Sequence, residues 1–75
     1  MHITVKCFAT LGPFQPADEE HFPLKPGETA GDVIRRLGID PGMVAVLFVN
    51  GTHAAQDKVL SEGDRVSLFP AVGGG

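Results

Sequence analysis

Residues 2–8 alternate strictly, with Ile3, Val5 and Cys7 on one face and His2, Thr4, Lys6 and Phe8 on the other. A period of two is the pattern of a strand with one buried face, and it turns Cys7 inward as a small core hydrophobe. In residues 9–17 the breakers Gly12-Pro13 and Gln15-Pro16 predict a loop. Asp18-Glu19-Glu20 reads as the solvated flank of a hairpin. Residues 19–24 then predict a short second strand antiparallel to the first, with Phe22 and Leu24 inward. Pro23 confines that strand to a sheet edge, because proline cannot donate to a ladder.

The spacing changes after the Lys25-Pro26-Gly27-Glu28 turn. Ala30, Val33, Ile34 and Leu37 recur at i, i+3, i+4 and i+7, the stripe of a helix packed on one side. Thr29 with Asp32 forms an N-cap and capping box at its start, and Gly38 stops it. After Asp40-Pro41-Gly42, residues 44–50 are apolar on both faces, as in a strand in the middle of a sheet. Asn50-Gly51 predicts a tight hairpin turn into a brief strand near residues 52–54. Residues 57–60 predict a single helical turn, residues 61–64 a last turn, and residues 65–69 a final strand with Val66 and Leu68 inward.

The order is strand, strand, helix, strand, short strand, strand. A right-handed crossover through the helix leaves the first and last strands as parallel neighbours, and the helix must bury its stripe on one face of the sheet. The expected fold is therefore α+β: a mixed four- to five-stranded sheet with one main helix packed on one face, the arrangement of the ubiquitin-like β-grasp.

Composition narrows the function. The chain has 75 residues, enough for one domain. Its one cysteine, Cys7, allows no internal disulfide and points to a reducing, cytoplasmic setting. The longest apolar run, residues 43–49, is far below the ~20 residues that span a bilayer, so no membrane partner is expected. Formal charge is −3 and the six basic residues are scattered, which argues against nucleic acid. The three histidines, His2, His21 and His53, share no ligand spacing, so no metal site is expected.

The chain closes with Leu68-Phe69-Pro70-Ala71-Val72-Gly73-Gly74-Gly75. At a glycine frequency of about 7%, three in succession at one end arise by chance in roughly three or four chains in ten thousand. Glycine loses more backbone freedom on folding than any other residue, so this run adds nothing to a core. Lacking Cβ atoms, it suits a channel too narrow for side chains. Pro70 marks the end of the last strand, and residues 70–75 can reach at most about 20 Å. The expected division is a β-grasp domain over residues 1–69 and a flexible glycine tail over residues 70–75.

With an opening Val5-Lys6-Cys7-Phe8-Ala9-Thr10-Leu11, turns at Val49-Asn50-Gly51 and Glu62-Gly63-Asp64-Arg65-Val66, and a Phe-Pro-x-Val-Gly-Gly ending, the chain resembles the MoaD/ThiS family over essentially its whole length. These are ubiquitin-like sulfur carriers, and the ending looks most like the small subunits of molybdopterin synthases. The resemblance implies a cycle in which a ubiquitin-activating-like adenylyltransferase, using ATP and magnesium, adenylates the terminal glycine carboxylate. A persulfide sulfur donor then converts it to a thiocarboxylate. Carried onto this sequence, the reacting carboxylate is that of Gly75, and Gly73 and Gly74 thread into the partner.

The same resemblance implies a protein cosubstrate rather than an enzyme, with no cofactor bound and the large subunit of molybdopterin synthase as a partner. Sulfur would go into molybdopterin, the molybdenum or tungsten cofactor. Two other readings share the tail: a thiamine thiazole sulfur carrier, and a protein modifier conjugated to lysines. The family usually ends in two glycines and this chain in three, so the reacting end is Gly75 or, after trimming, Gly74. The parallel pairing of first and last strands also sets Phe8 beside Phe69 on the open face. Phe8, Phe69, Pro70 and Val72 are thus the candidate partner-binding residues, unless the loop over residues 9–17 covers the two rings.

Overall fold

The structure, a computed structural model, describes residues 1–71. Five strands, β1 (His2–Cys7), β2 (Phe22–Pro23), β3 (Val44–Val49), β4 (Thr52–His53) and β5 (Arg65–Pro70), form one sheet in the order β2-β1-β5-β3-β4. β1 and β5 run parallel, with Val5 opposite Val66 and Cys7 opposite Leu68. The remaining pairs are antiparallel. One α-helix, α1 (Ala30–Arg36), covers one face. This is the mixed ubiquitin-like β-grasp that the pattern predicts.

The core forms where the inward strand positions meet the helix stripe. Ile3, Val5, Val66, Leu68, Val33 and Ile34 are essentially inaccessible to water. Thr29 caps the helix with both bonds of the capping box. The Ala30 and Gly31 amides, which no helical turn can satisfy, donate to the carbonyls of Lys58 (2.9 Å) and Gln56 (2.8 Å). Gly31 allows this close approach, since a Cβ would sit a tight 3.2 Å from the Gln56 carbonyl oxygen. At the Asn50-Gly51 turn both residues have positive φ, 55° and 78°, the geometry that joins two strands tightly.

Three expectations are corrected. Residues 9–14 are a 3-10 helix, Ala9–Phe14, rather than loop, and its Leu11 is wholly buried. Phe8, Leu11 and Phe14 are spaced by three, the period of a 3-10 helix, whose side chains at i and i+3 align. Residues 57–60 form no helical turn. Val59 instead bridges Thr29, and the Leu60 amide donates to the Glu28 carbonyl, so the helix start engages this backbone in extended form. β3 lies inside the sheet between β5 and β4, as its two apolar faces predict, and the central place is taken by β5. β5 also extends through Pro70, one residue beyond the expected strand end, in register with Val44.

Glu28 is the one buried charged residue among those described, 8% exposed. It accepts from both the Lys25 amide (2.9 Å) and the Arg36 guanidinium (2.8 and 2.9 Å), while Arg36 also donates to the Pro23 carbonyl and lies over the Phe22 ring. Burial pushes the Glu28 carboxyl up, but the Lys25 amide and the Arg36 guanidinium outweigh it and hold the group below its usual 4.5. A depressed folded value means that the pair's stabilisation is complete above about pH 4.5 and is lost as pH falls through the folded value. Glu28→Gln is therefore expected to melt below wild type at neutral pH, and the gap should narrow below about pH 4.5. Melting temperatures of both proteins across that range check it.

Candidate functional site

Among the described residues, no helix comparable to α1 covers the opposite face of the sheet. β1 ends where Ala9 adopts positive φ (52°) and swings the chain aside, leaving Phe8 with its amide donating to the Leu68 carbonyl at 3.0 Å. That bond fixes Phe8 beside β5, and its ring stacks on Phe69 with centroids 4.5 Å apart and planes within 5°. An irregularity between Val44 and Val46 shifts the β3 register so that Val46 pairs with Phe69. Phe69 meets Phe48 edge to face at 5.8 Å, and Phe48 meets His53 in the same way at 5.8 Å. An aromatic row thus crosses the open face from the end of β1 to β4.

Beside the row lies a hollow of about 480 Å³ lined by Ala9, Thr10, Val46, Phe48, Phe69, Pro70 and Ala71. Its walls are almost wholly apolar, and its rim includes the last two residues before Val72. Phe8 remains 39% exposed. The 3-10 helix does not bury it, because that helix sends Leu11 into the core and offers only Ala9 and Thr10 to the rim. A comparable hollow of about 530 Å³ lies at the opposite end of β3 and β5, among polar residues that include Asn50, Asp57 and Asp64.

Of the residues singled out from sequence, Phe69 and Pro70 line this hollow and Phe8 stacks on Phe69 beside it. Val72, Gly73, Gly74 and Gly75 lie outside the described residues. Sequence reasoning missed Val46, Phe48 and His53. The signal was present, since a strand apolar on both faces has outward residues that need something to cover them. It also missed Gln15, whose side chain accepts from the Cys7 amide (2.7 Å) and donates to the Val5 carbonyl (2.7 Å). One amide side chain there stands in for a strand along the outer edge of β1.

Cys7 is half-buried against the core, and burial pushes its thiol up, away from the reactive thiolate. His2 and His21, distant in sequence, meet at 6.1 Å because β1 and β2 pair beside them, and Asp18 lies 3.1 Å from the His21 ring. Among the described residues no cluster of three or more His, Cys, Asp or Glu is placed to hold a metal ion. No helix among them is long and apolar enough to cross a membrane.

Fold and site together define a class: a ubiquitin-like domain whose last strand runs out beside an apolar platform. The chain belongs to the ThiS family, small ubiquitin-like carrier proteins, which it matches over residues 5–75. Among solved structures it is similar to a protein described as molybdopterin converting factor, subunit 1, from Pyrococcus furiosus. They share 28% identity over 93% of this chain and 97% of that one, with a TM-score of 0.69. Two crystal structures of the small archaeal modifier protein SAMP1 of Haloferax volcanii share its fold. Their identities are 24% and 22%, their TM-scores 0.68 and 0.71, and they cover 97% and 95% of this chain and 98% of their own. No curated protein matches.

Proposed function

We propose that the protein is a sulfur carrier whose terminal glycine is adenylated and then converted to a thiocarboxylate that supplies sulfur to molybdopterin. The observation that carries this reading is that the match to the ThiS family runs to residue 75, through all three glycines. The likeness to the Pyrococcus furiosus subunit and the Phe-Pro-x-Val-Gly-Gly ending favour the pterin as acceptor over the thiazole of thiamine.

The chemistry follows from the poor electrophilicity of a carboxylate. An oxygen of Gly75 attacks the α-phosphorus of magnesium-bound ATP, and pyrophosphate leaves. The terminal sulfur of a persulfide then attacks the acyl carbon and AMP departs. A thiol cleaves the resulting sulfur–sulfur bond, leaving the thiocarboxylate and a disulfide. The carrier contributes delivery, and groups that polarise the acyl carbon belong to the activating enzyme. The aromatic row and its hollow are where such a partner would grip the domain, with the large subunit of molybdopterin synthase gripping it later.

Intact mass after incubation with an activating enzyme, ATP, magnesium and a persulfide donor tests the reading. One oxygen replaced by sulfur at Gly75 is expected, and the same change on a chain shorter by one glycine would place it at Gly74. No change would overturn the proposal. Sulfur delivered only to a thiazole-forming enzyme would move the acceptor, and lysine conjugates that require the glycines would move the protein to the modifiers. Phe8→Asp is expected to weaken binding to the activating enzyme roughly thirtyfold, about 2 kcal/mol, by placing a charge at the centre of an apolar contact. Isothermal titration with wild type and variant gives the ratio.

A further inference from the structure

The open face is apolar at one end only. Upstream of the aromatics, the outward positions of β1 and β5 carry Lys6 and Arg65: Thr4 stands opposite Arg65 and Lys6 opposite Ser67, so the two cations are diagonal neighbours. The chain as a whole is acidic, with nine carboxylate residues against six bases, yet these strand positions carry no acid. Among the described residues only Glu19 makes an ion pair with either cation. Glu19 lies 3.6 Å from Lys6, but both side chains are about half exposed (43% and 52%), and such pairs contribute little. The Asp64 carboxylate is committed to the Asn50 side-chain amide and the Ser61 backbone amide, both at 2.8 Å. Among the described residues Arg65 makes no ion pair.

We propose that this face docks a protein surface of matching polarity: an apolar centre that receives Phe8, Phe69 and Phe48, bordered by carboxylates that face Lys6 and Arg65. The inference rests on the sulfur-carrier reading for the partner's identity as the activating enzyme, and it adds the chemistry of that partner's surface. From Arg65 to Phe69 is about 13 Å along β5, at roughly 3.3 Å per residue. The partner's acids therefore lie on the side away from the glycine tail. An apolar patch alone permits docking in several rotations. A cationic end opposite an acidic border selects the one that aims residues 72–75 at the reacting centre, and rejects surfaces bordered by cations.

Rim charges act mainly on encounter, so the association rate and its dependence on salt are the readouts. The probe is a purified adenylyltransferase that forms an adenylate on the wild-type chain. Association is followed for wild type, for Lys6→Glu with Arg65→Glu, and for Lys25→Glu with Lys58→Glu, which changes net charge equally but away from the open face. At about 0.05 M salt the first pair should slow association at least tenfold, and the three curves should converge near 0.5 M. The control pair should stay within about twofold of wild type, and melting curves confirm that all three proteins fold.

Equal slowing by both pairs would reduce the effect to net charge and overturn the inference. A wild-type rate insensitive to salt, unchanged by Lys6→Glu with Arg65→Glu, would overturn it as well. Failure of every adenylyltransferase to act on wild type would remove the sulfur-carrier reading and this inference together. Adenylation without the salt signature removes only the inference.

Discussion

Deleting Gly74 and Gly75 is expected to abolish adenylate and thiocarboxylate formation outright while leaving the melting temperature within about a degree of wild type. The two halves of that result have different causes. Function is lost because the remaining carboxylate falls about 7 Å short, two residues at up to ~3.6 Å each, and reaction requires atoms held near 3 Å apart. Stability is kept because the buried core residues, from Ile3 to Leu68, all lie within residues 1–71. Intact mass and a thermal melt on the same sample read both. A truncated protein that still gained sulfur would remove the terminal glycines from the mechanism.

The second large effect is on the fold. Leu11→Ala is expected to cost about 3 kcal/mol, within the range for burying a cavity in place of a leucine. In a domain of this size that lowers the melting temperature by roughly 15 °C. Leu11 is wholly buried and belongs to the same cluster as Val5, Leu68 and Val66. It sits in the 3-10 helix whose Ala9 and Thr10 edge the apolar hollow. A melt within 2 °C of wild type would show that this helix merely lies on the domain.

Leu11 also marks where the sequence stops being readable. β1 and the helix were legible because each carries a long periodic signal: alternation in residues 2–8, the stripe of Ala30, Val33, Ile34 and Leu37, and the Thr29-Asp32 cap. The second strand, expected over residues 19–24, spans only Phe22–Pro23. Turns were legible wherever positive φ demanded glycine or asparagine, as at Asn50, Gly51 and Gly63. The 3-10 helix was not, because Gly12-Pro13 and Pro16 mask a three-residue period that spans barely two turns. Val59 failed for another reason: its conformation is decided by Thr29, a residue distant in sequence, and no local pattern reports that.

The candidate site divides in the same way. Phe8 and Phe69 could be paired from sequence once the parallel arrangement of the first and last strands was inferred. Phe48 and His53 were missed although the two-residue Asn50-Gly51 turn sets them opposite each other; their approach to Phe69 needed the register of β3 against β5. The capture of β1 by Gln15 is a single side-chain geometry, beyond any periodicity. The charge asymmetry of the open face needed the register of Thr4 and Lys6 against Arg65 and Ser67.

That β5 is both the last strand of the fold and the middle of the sheet bears on how cells would make this protein. During synthesis β1 must wait for a neighbour some sixty residues later, so the sheet closes only after nearly the whole chain has emerged. A ribosome that stops before β5 releases a fragment with no central strand, in which β1 and β3 both lack the neighbour that joins them. Molecules cut short before β5 are thus left to proteolysis and do not compete for a partner's docking site.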